Sequence, residues 1–146
     1  MTYLERITFL YGEYIQLTGY LFKNTCMLMT MLSSDDIAMC DSISFFNKVE
    51  AESYRAYKYF SSLSTEKKEE MISSSLLSNR MKKELLNIID DREKTEYFFF
   101  IENDFSSEEI QRYEQAISQL EEKEENCYRI NQQIVKEIDK LRNRVI

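Results

Sequence analysis

The chain has no histidine, no proline and no tryptophan, and only two glycines, Gly12 and Gly19. Each absence excludes something. A sheet protein needs turn residues that reach positive φ or hold a fixed φ, and two glycines without proline cannot supply them over 146 residues. The expected fold class is therefore all-α. Lack of histidine removes the commonest general base, the usual zinc ligand outside all-cysteine sites, and the Glu-x-x-His pairs of helical di-iron centres. Cys26, Cys40 and Cys127 give no Cys-x-x-Cys spacing, and neither a phosphate-binding Gly-x-x-x-x-Gly-Lys loop nor a Gly-x-Ser-x-Gly elbow occurs. No catalytic residue, cofactor or metal ligand is expected, and the chain reads as a non-enzyme. An odd number of dispersed cysteines in helical stretches fits reduced thiols in a cytosol. The net charge of −7 argues against nucleic acid as a partner, because phosphate backbones demand a basic surface. No apolar run reaches the roughly eighteen residues of a membrane span. The opening Met1-Thr2-Tyr3-Leu4-Glu5-Arg6, with its early acid, does not read as a secretion signal. A cytoplasmic protein is expected.

What the chain does contain is helical periodicity. From Phe105 to Ile146 an apolar set at Ile110, Tyr113, Ile117, Leu120, Cys127, Ile134, Ile138, Leu141 and Val145 steps by three and four, interrupted at Glu124 and Asn131. This is a heptad seam on one long helix. Ser106 and Glu109 have capping-box spacing, Phe105 and Ile110 sit where a hydrophobic staple would lie, and Lys140, Arg142 and Arg144 suit the helix C-terminus.

A second seam, Tyr3, Ile7, Leu10, Tyr14, Leu17, Leu21, Leu28 and Met31, follows a Thr2/Glu5 capping box, with Asn24 as its polar interruption. Leu4, Tyr11, Ile15 and Phe22 widen this stripe, so the helix should be buried against more than one neighbour. Gly12 and Gly19 share a face seven residues apart, which predicts close backbone approach by another helix. Ser33-Ser34-Asp35-Asp36 separates the first helix from a second carrying Ile37, Cys40, Ile43, Phe46, Val49, Ala56, Tyr57, Phe60 and Leu63. Ser64 restarts a helix, Ser73-Ser74-Ser75 should kink or break it, and an apolar pattern resumes from Leu76 to Ile89. Five consecutive large residues, Tyr97 to Ile101, cannot all face one side of a helix. The expected architecture is an elongated antiparallel helical bundle or coiled coil, with residues 1 to 63 as a hairpin, 64 to 104 as middle helices and 105 to 146 as a long last helix.

The spacings Glu121/Glu124 and Glu122/Glu125 could put two carboxylates on one face, but without ligands from other helices they read as solvated surface. Cys127, at a seam position with no base beside it, reads as a small buried apolar group. Tyr54, Tyr59, Tyr113 and Tyr128 sit near stripe edges, where half-wet rings suit binding surfaces. Asn131, a polar residue in a seam, is expected to fix register or partner number.

Taken as a layout, a long first helix, a short acidic break at Ser33 to Asp36, a second helix ending near Leu63, a weaker middle and a long last helix resemble the FlgN and FliT group of flagellar export chaperones. Locally, Ile117-x-x-Leu120, Asn126 and Asn131, within Ile110 to Leu141, are similar to that group's asparagine-containing last helix; the Tyr97 to Ile101 cluster departs from its pattern. The resemblance implies a small cytoplasmic protein that holds a secreted or filament subunit before export, with the C-terminal helix taking the cargo. Residues Cys127, Ile130, Asn131, Ile134, Ile138, Leu141 and Val145 are then the expected partner-binding face, separable from a folded remainder. Two other classes compete. One is a coiled coil that pairs with copies of itself, as a homodimer. The other is a compact bundle that binds proteins, in which Phe98 to Ile101 join the core and the last helix packs along its whole length.

Overall fold

The computed structural model describes residues 1–33, 42–103, 105 and 109–144, excepting the side chains of 42–46 and of 144. Among the described residues are five helices: α1 (Tyr3–Leu32), α2 (Ser42–Ser62), α3 (Thr65–Ser73), α4 (Asn79–Glu102) and α5 (Ile110–Arg144). Their ends follow the local chemistry. Thr2 and Glu5 form the expected capping box at α1, and the Ser64 and Ser78 hydroxyls accept the Lys67 and Met81 amides at the starts of α3 and α4. At Ser73 to Ser75 the helix breaks rather than kinks. Ser74 caps α3, and the Ser75 hydroxyl donates to the Ile72 carbonyl at 2.6 Å while accepting the Leu77 amide, closing a local alternative to the helical ladder. Tyr97 to Ile101 form part of the last two turns of α4. Asp35, Asp36, Ile37, Cys40, Ser106 and Val145, and the side chains of Ile43 and Phe46, lie outside the described residues.

Consecutive helices reverse direction, so α1 and α5 come out parallel. Tyr3 stacks on Tyr113 at 5.7 Å, Arg6 reaches Glu121 at 3.5 Å, and Asn24 bonds Asn131 at 2.9 Å, both chains ascending together. In the antiparallel direction, α2 covers the upper half of α1, where Phe22 meets Phe60 and Met27 faces Asn47 to Tyr54. The lower half of α1 meets α4 through Tyr11 and Tyr14.

The main core draws on every helix: Leu21, Cys26, Leu28 and Met31 of α1, Val49 and Phe60 of α2, Ile72 of α3, Leu85, Ile88 and Ile89 of α4, and Cys127 to Leu141 of α5. A smaller cluster at the lower end gathers Ile7, Leu10, Phe99, Ala116 and Leu120. The two heptad seams are thus each other's partners; of the added row, Tyr11 meets α4 and Phe22 meets α2, whereas Leu4 stays exposed, against the expectation that it widens the buried stripe.

The glycines correct the expectation of close backbone approach. A Cβ built on Gly12 would meet nothing within 4 Å, and one on Gly19 would touch only the Tyr57 hydroxyl oxygen at 3.8 Å, an ordinary contact. Both sit in regular helix with negative φ. No neighbour needs the missing side chain at Gly12, so the residue carries only its entropic cost. Gly12→Ala should raise unfolding stability by about 0.5–1 kcal/mol, read from the chemical-denaturation midpoint at unchanged slope.

Candidate functional site

The structure puts the expected partner-binding face inside the protein. Cys127, Ile130, Ile134, Ile138 and Leu141 are all buried in the core shared with α1, and Asn131 is half-buried there. Period alone could not distinguish a seam offered to a partner from one already filled by the chain's own first helix. The cysteines behave as the seam position implied. Cys26 and Cys127 are free and buried, and burial pushes their thiols up to about 12 and about 11, so both are held protonated. Among the described residues no three His, Cys, Asp or Glu side chains converge as a metal site, and no helix is long and apolar enough to cross a membrane.

The polar interruptions of the seams find partners across α1, α4 and α5. Asn24 Nδ2 donates to Asn131 Oδ1, so the two seam asparagines satisfy one another. One turn above the lower cluster, the buried Tyr14 hydroxyl donates to Asp91 Oδ2 of α4, and Lys123 of α5 ion-pairs with Asp91 Oδ1. Burial, followed by the Asp91 carboxylate, raises the Tyr14 phenol far above its ordinary range. That trio ties three helices through one carboxylate. The cleft between α4 and α5, about 490 Å³ and lined by Asp90, Asp91, Lys94, Glu122 and Lys123, has both lysines already ion-paired, to Asp90 and Asp91. It presents no unspent cation to a ligand.

Glu124, the other interruption, differs. Its Oε1 is buried without a hydrogen-bond partner among the described residues. Burial first, then the charge and carboxyl hydrogen bond of Glu13 on α1, push its carboxyl up to about 7. Arg6 opposes this shift and Glu121 adds to it. From their spacing Glu121 and Glu124 read as solvated surface; Glu121 is exposed, but Glu124 is half-buried and faces the charge of Glu13 on α1.

Exposed large apolar side chains occur singly on several helices, Tyr54, Tyr59 and Leu76 among them, and gather beside a row of rings at the lower end. Rings run in sequence from Tyr3 to Tyr113 at 5.7 Å, Tyr113 to Phe105 at 5.5 Å, Phe105 to Phe100 at 6.1 Å and Phe100 to Tyr11 at 5.0 Å. Tyr113 also donates its hydroxyl to the Phe105 carbonyl, and Tyr11 donates to the Glu96 carbonyl. Phe99 alone of the α4 run is buried beneath this row, against Tyr11 at 6.0 Å. Tyr3, Phe98, Phe100, Ile110, Tyr97 and Ile101 remain between 44% and 75% exposed. Monomeric proteins seldom leave contiguous apolar surface uncovered without a binding role. The five-residue run was the available sequence signal. A helix can turn only one side of it inward, so the rest must face solvent or a partner.

A native state that holds a proton on Glu124 is favoured below the ordinary carboxyl value near 4.5 and loses that advantage as pH rises through about 7. Between pH 5 and 7.5 the wild-type protein should therefore lose about 1–2 kcal/mol of unfolding stability, a figure reduced for partial solvent screening. Glu124→Gln, which keeps the neutral shape, should flatten that profile and melt higher than wild type at pH 8. Deleting residues 126–146 should abolish the cooperative thermal transition seen by circular dichroism, because five buried side chains leave the core with them.

No protein-family model matches the chain, and comparison with curated proteins and with solved structures finds no match, so the functional reading rests on this geometry.

Proposed function

We propose that the protein is a non-catalytic helical bundle that binds another protein through its aromatic lower end, the surface formed by the last two turns of α4 and the starts of α1 and α5. One observation carries this reading: six large apolar side chains stand exposed at this end, two of them, Tyr3 and Phe100, in a row of rings packed face to face or edge to face. Aromatic rings fixed by their neighbours lose little conformational freedom on binding, which is why such residues concentrate at interface centres. The proposal takes up the compact-bundle alternative of the sequence with one correction: of Phe98 to Ile101 only Phe99 joins the core.

An export-chaperone role, with a secreted or filament subunit as cargo, is a narrower form of the same class. Taking cargo on the Cys127 to Leu141 face would require α5 to leave α1, whereas the aromatic end needs no opening. Site-specific photo-crosslinking separates the two. A benzophenone side chain at Ile101 should give a discrete protein adduct in native cytosol, while one at Val135, exposed on α5 beside the buried Ile134, should give none. An adduct at Val135 and not at Ile101 would reverse the assignment.

A further inference from the structure

Resting on that reading, we infer that the aromatic end takes a basic amphipathic helix: a partner segment whose apolar stripe lies over Tyr97, Phe98 and Ile101 and whose flanking lysines or arginines meet the acids around them. Tyr97, Phe98 and Ile101 stand at positions i, i+1 and i+4 of α4, 63%, 49% and 75% exposed, and form an outward ridge over its last turns. A ridge of that form packs against a second helix carrying apolar residues at three- and four-residue spacing.

The charge around the ridge selects among occupants. Glu96 and Glu102, at either end of the run on α4, are exposed, and among the described residues no cation is in ion-pair contact with either of them. Lys94 holds Asp90 at 2.9 Å and Arg112 holds Glu109 at 3.3 Å, while Lys68 and Lys94 act on Glu96 and Glu102 only through longer-range attraction. An approaching surface thus meets apolar side chains with an exposed acid at either end of the run. A second copy of this chain would bring the same acids face to face, and an anionic lipid surface would be repelled; a lysine- or arginine-flanked stripe is attracted and held in register.

Two synthetic peptides serve as probes: an amphipathic helix of about five turns with leucine on one face and lysine on the other, and its counterpart with glutamate replacing lysine. Fluorescence anisotropy with the intact protein should show the lysine peptide binding at least about tenfold more tightly, with affinity falling as salt rises from about 0.1 M to 0.5 M. The double variant Glu96→Gln/Glu102→Gln should reduce affinity for the lysine peptide about fivefold or more. The double variant Tyr97→Ser/Ile101→Ser should abolish binding at an unchanged melting profile, since neither side chain belongs to a buried cluster. Equal binding of both peptides that is lost in Tyr97→Ser/Ile101→Ser would overturn the basic partner while leaving the aromatic end as a binding face. Lysine-peptide binding that survives the same variant would overturn both, as nonspecific attraction to an acidic chain. Binding of the protein to phosphatidylserine vesicles, or a sedimentation mass that rises with concentration and falls back with Ile101→Ser, would replace the proposed occupant by a membrane or a second copy.

Discussion

The rest of the structure depends on the pairing of the first helix with the last. These helices are farthest apart in sequence, yet they supply the two seams that bury one another; α2 and α4 lie against them, and α3 packs on α4. Because each connection reverses the chain, five helices return the last one parallel to the first. Such a contact cannot form locally; the intervening segment must be closed before the seam contributes, so the α1/α5 pair and the α2, α3 and α4 scaffold stabilise each other cooperatively. The single main core, with members from all five helices, is the structural expression of that dependence.

Polar groups inside the seam specify its register more than they add to its strength. Asn24 and Asn131 meet only when both helices ascend in step, and a shift of one turn would leave two half-buried amides unpaired. Asp91 imposes a second condition by accepting from Tyr14 on α1 while pairing with Lys123 on α5, so α4 too is locked in height. Partly buried ion pairs of this kind contribute little net stability against an apolar replacement, but removing one partner leaves the others desolvated. The Glu13 and Glu124 pair runs the other way. Burial and the nearby Glu13 charge favour the protonated Glu124 carboxyl, so this seam position stabilises the fold less as pH rises through neutrality.

How far these features were legible differs residue by residue. The seams were, because three- and four-residue spacing is a direct projection of helix geometry; Ile7, Leu21, Leu120 and Ile134 are all buried where the pattern put them. So were the Thr2, Ser64 and serine-run signals, which depend on neighbours within four residues. What faces a seam is a different quantity, set by contacts more than a hundred residues apart such as Asn24 to Asn131, and spacing carries no information about it. That is why a face expected to meet a partner proved to meet α1. The glycines failed for the same reason: seven-residue spacing puts Gly12 and Gly19 on one face without saying whether anything approaches it. Tyr97 to Ile101 lay between these cases. The run announced that some rings must stay outside, and only the fold showed that Phe99 is the one turned in.

Magnitudes explain why the aromatic end, and not the last helix, is the more economical place to bind. Exposing Cys127, Ile130, Ile134, Ile138 and Leu141 forfeits roughly 1.5–3 kcal/mol for each large side chain. The total is of the order of the binding free energy of a micromolar complex, about 8 kcal/mol. A cargo on that face would have to replace α1 contact for contact before adding any net affinity. Phe98, Tyr97 and Ile101 carry no such debt, because each is already about half or more exposed in the folded protein. The ring row at the same end is already packed ring to ring and hydrogen-bonded to backbone carbonyls, so association there orders little that is not ordered beforehand. A surface whose rings are already packed, while the apolar face of the last helix is committed to the core, is the arrangement in which binding energy is least diluted by reorganisation.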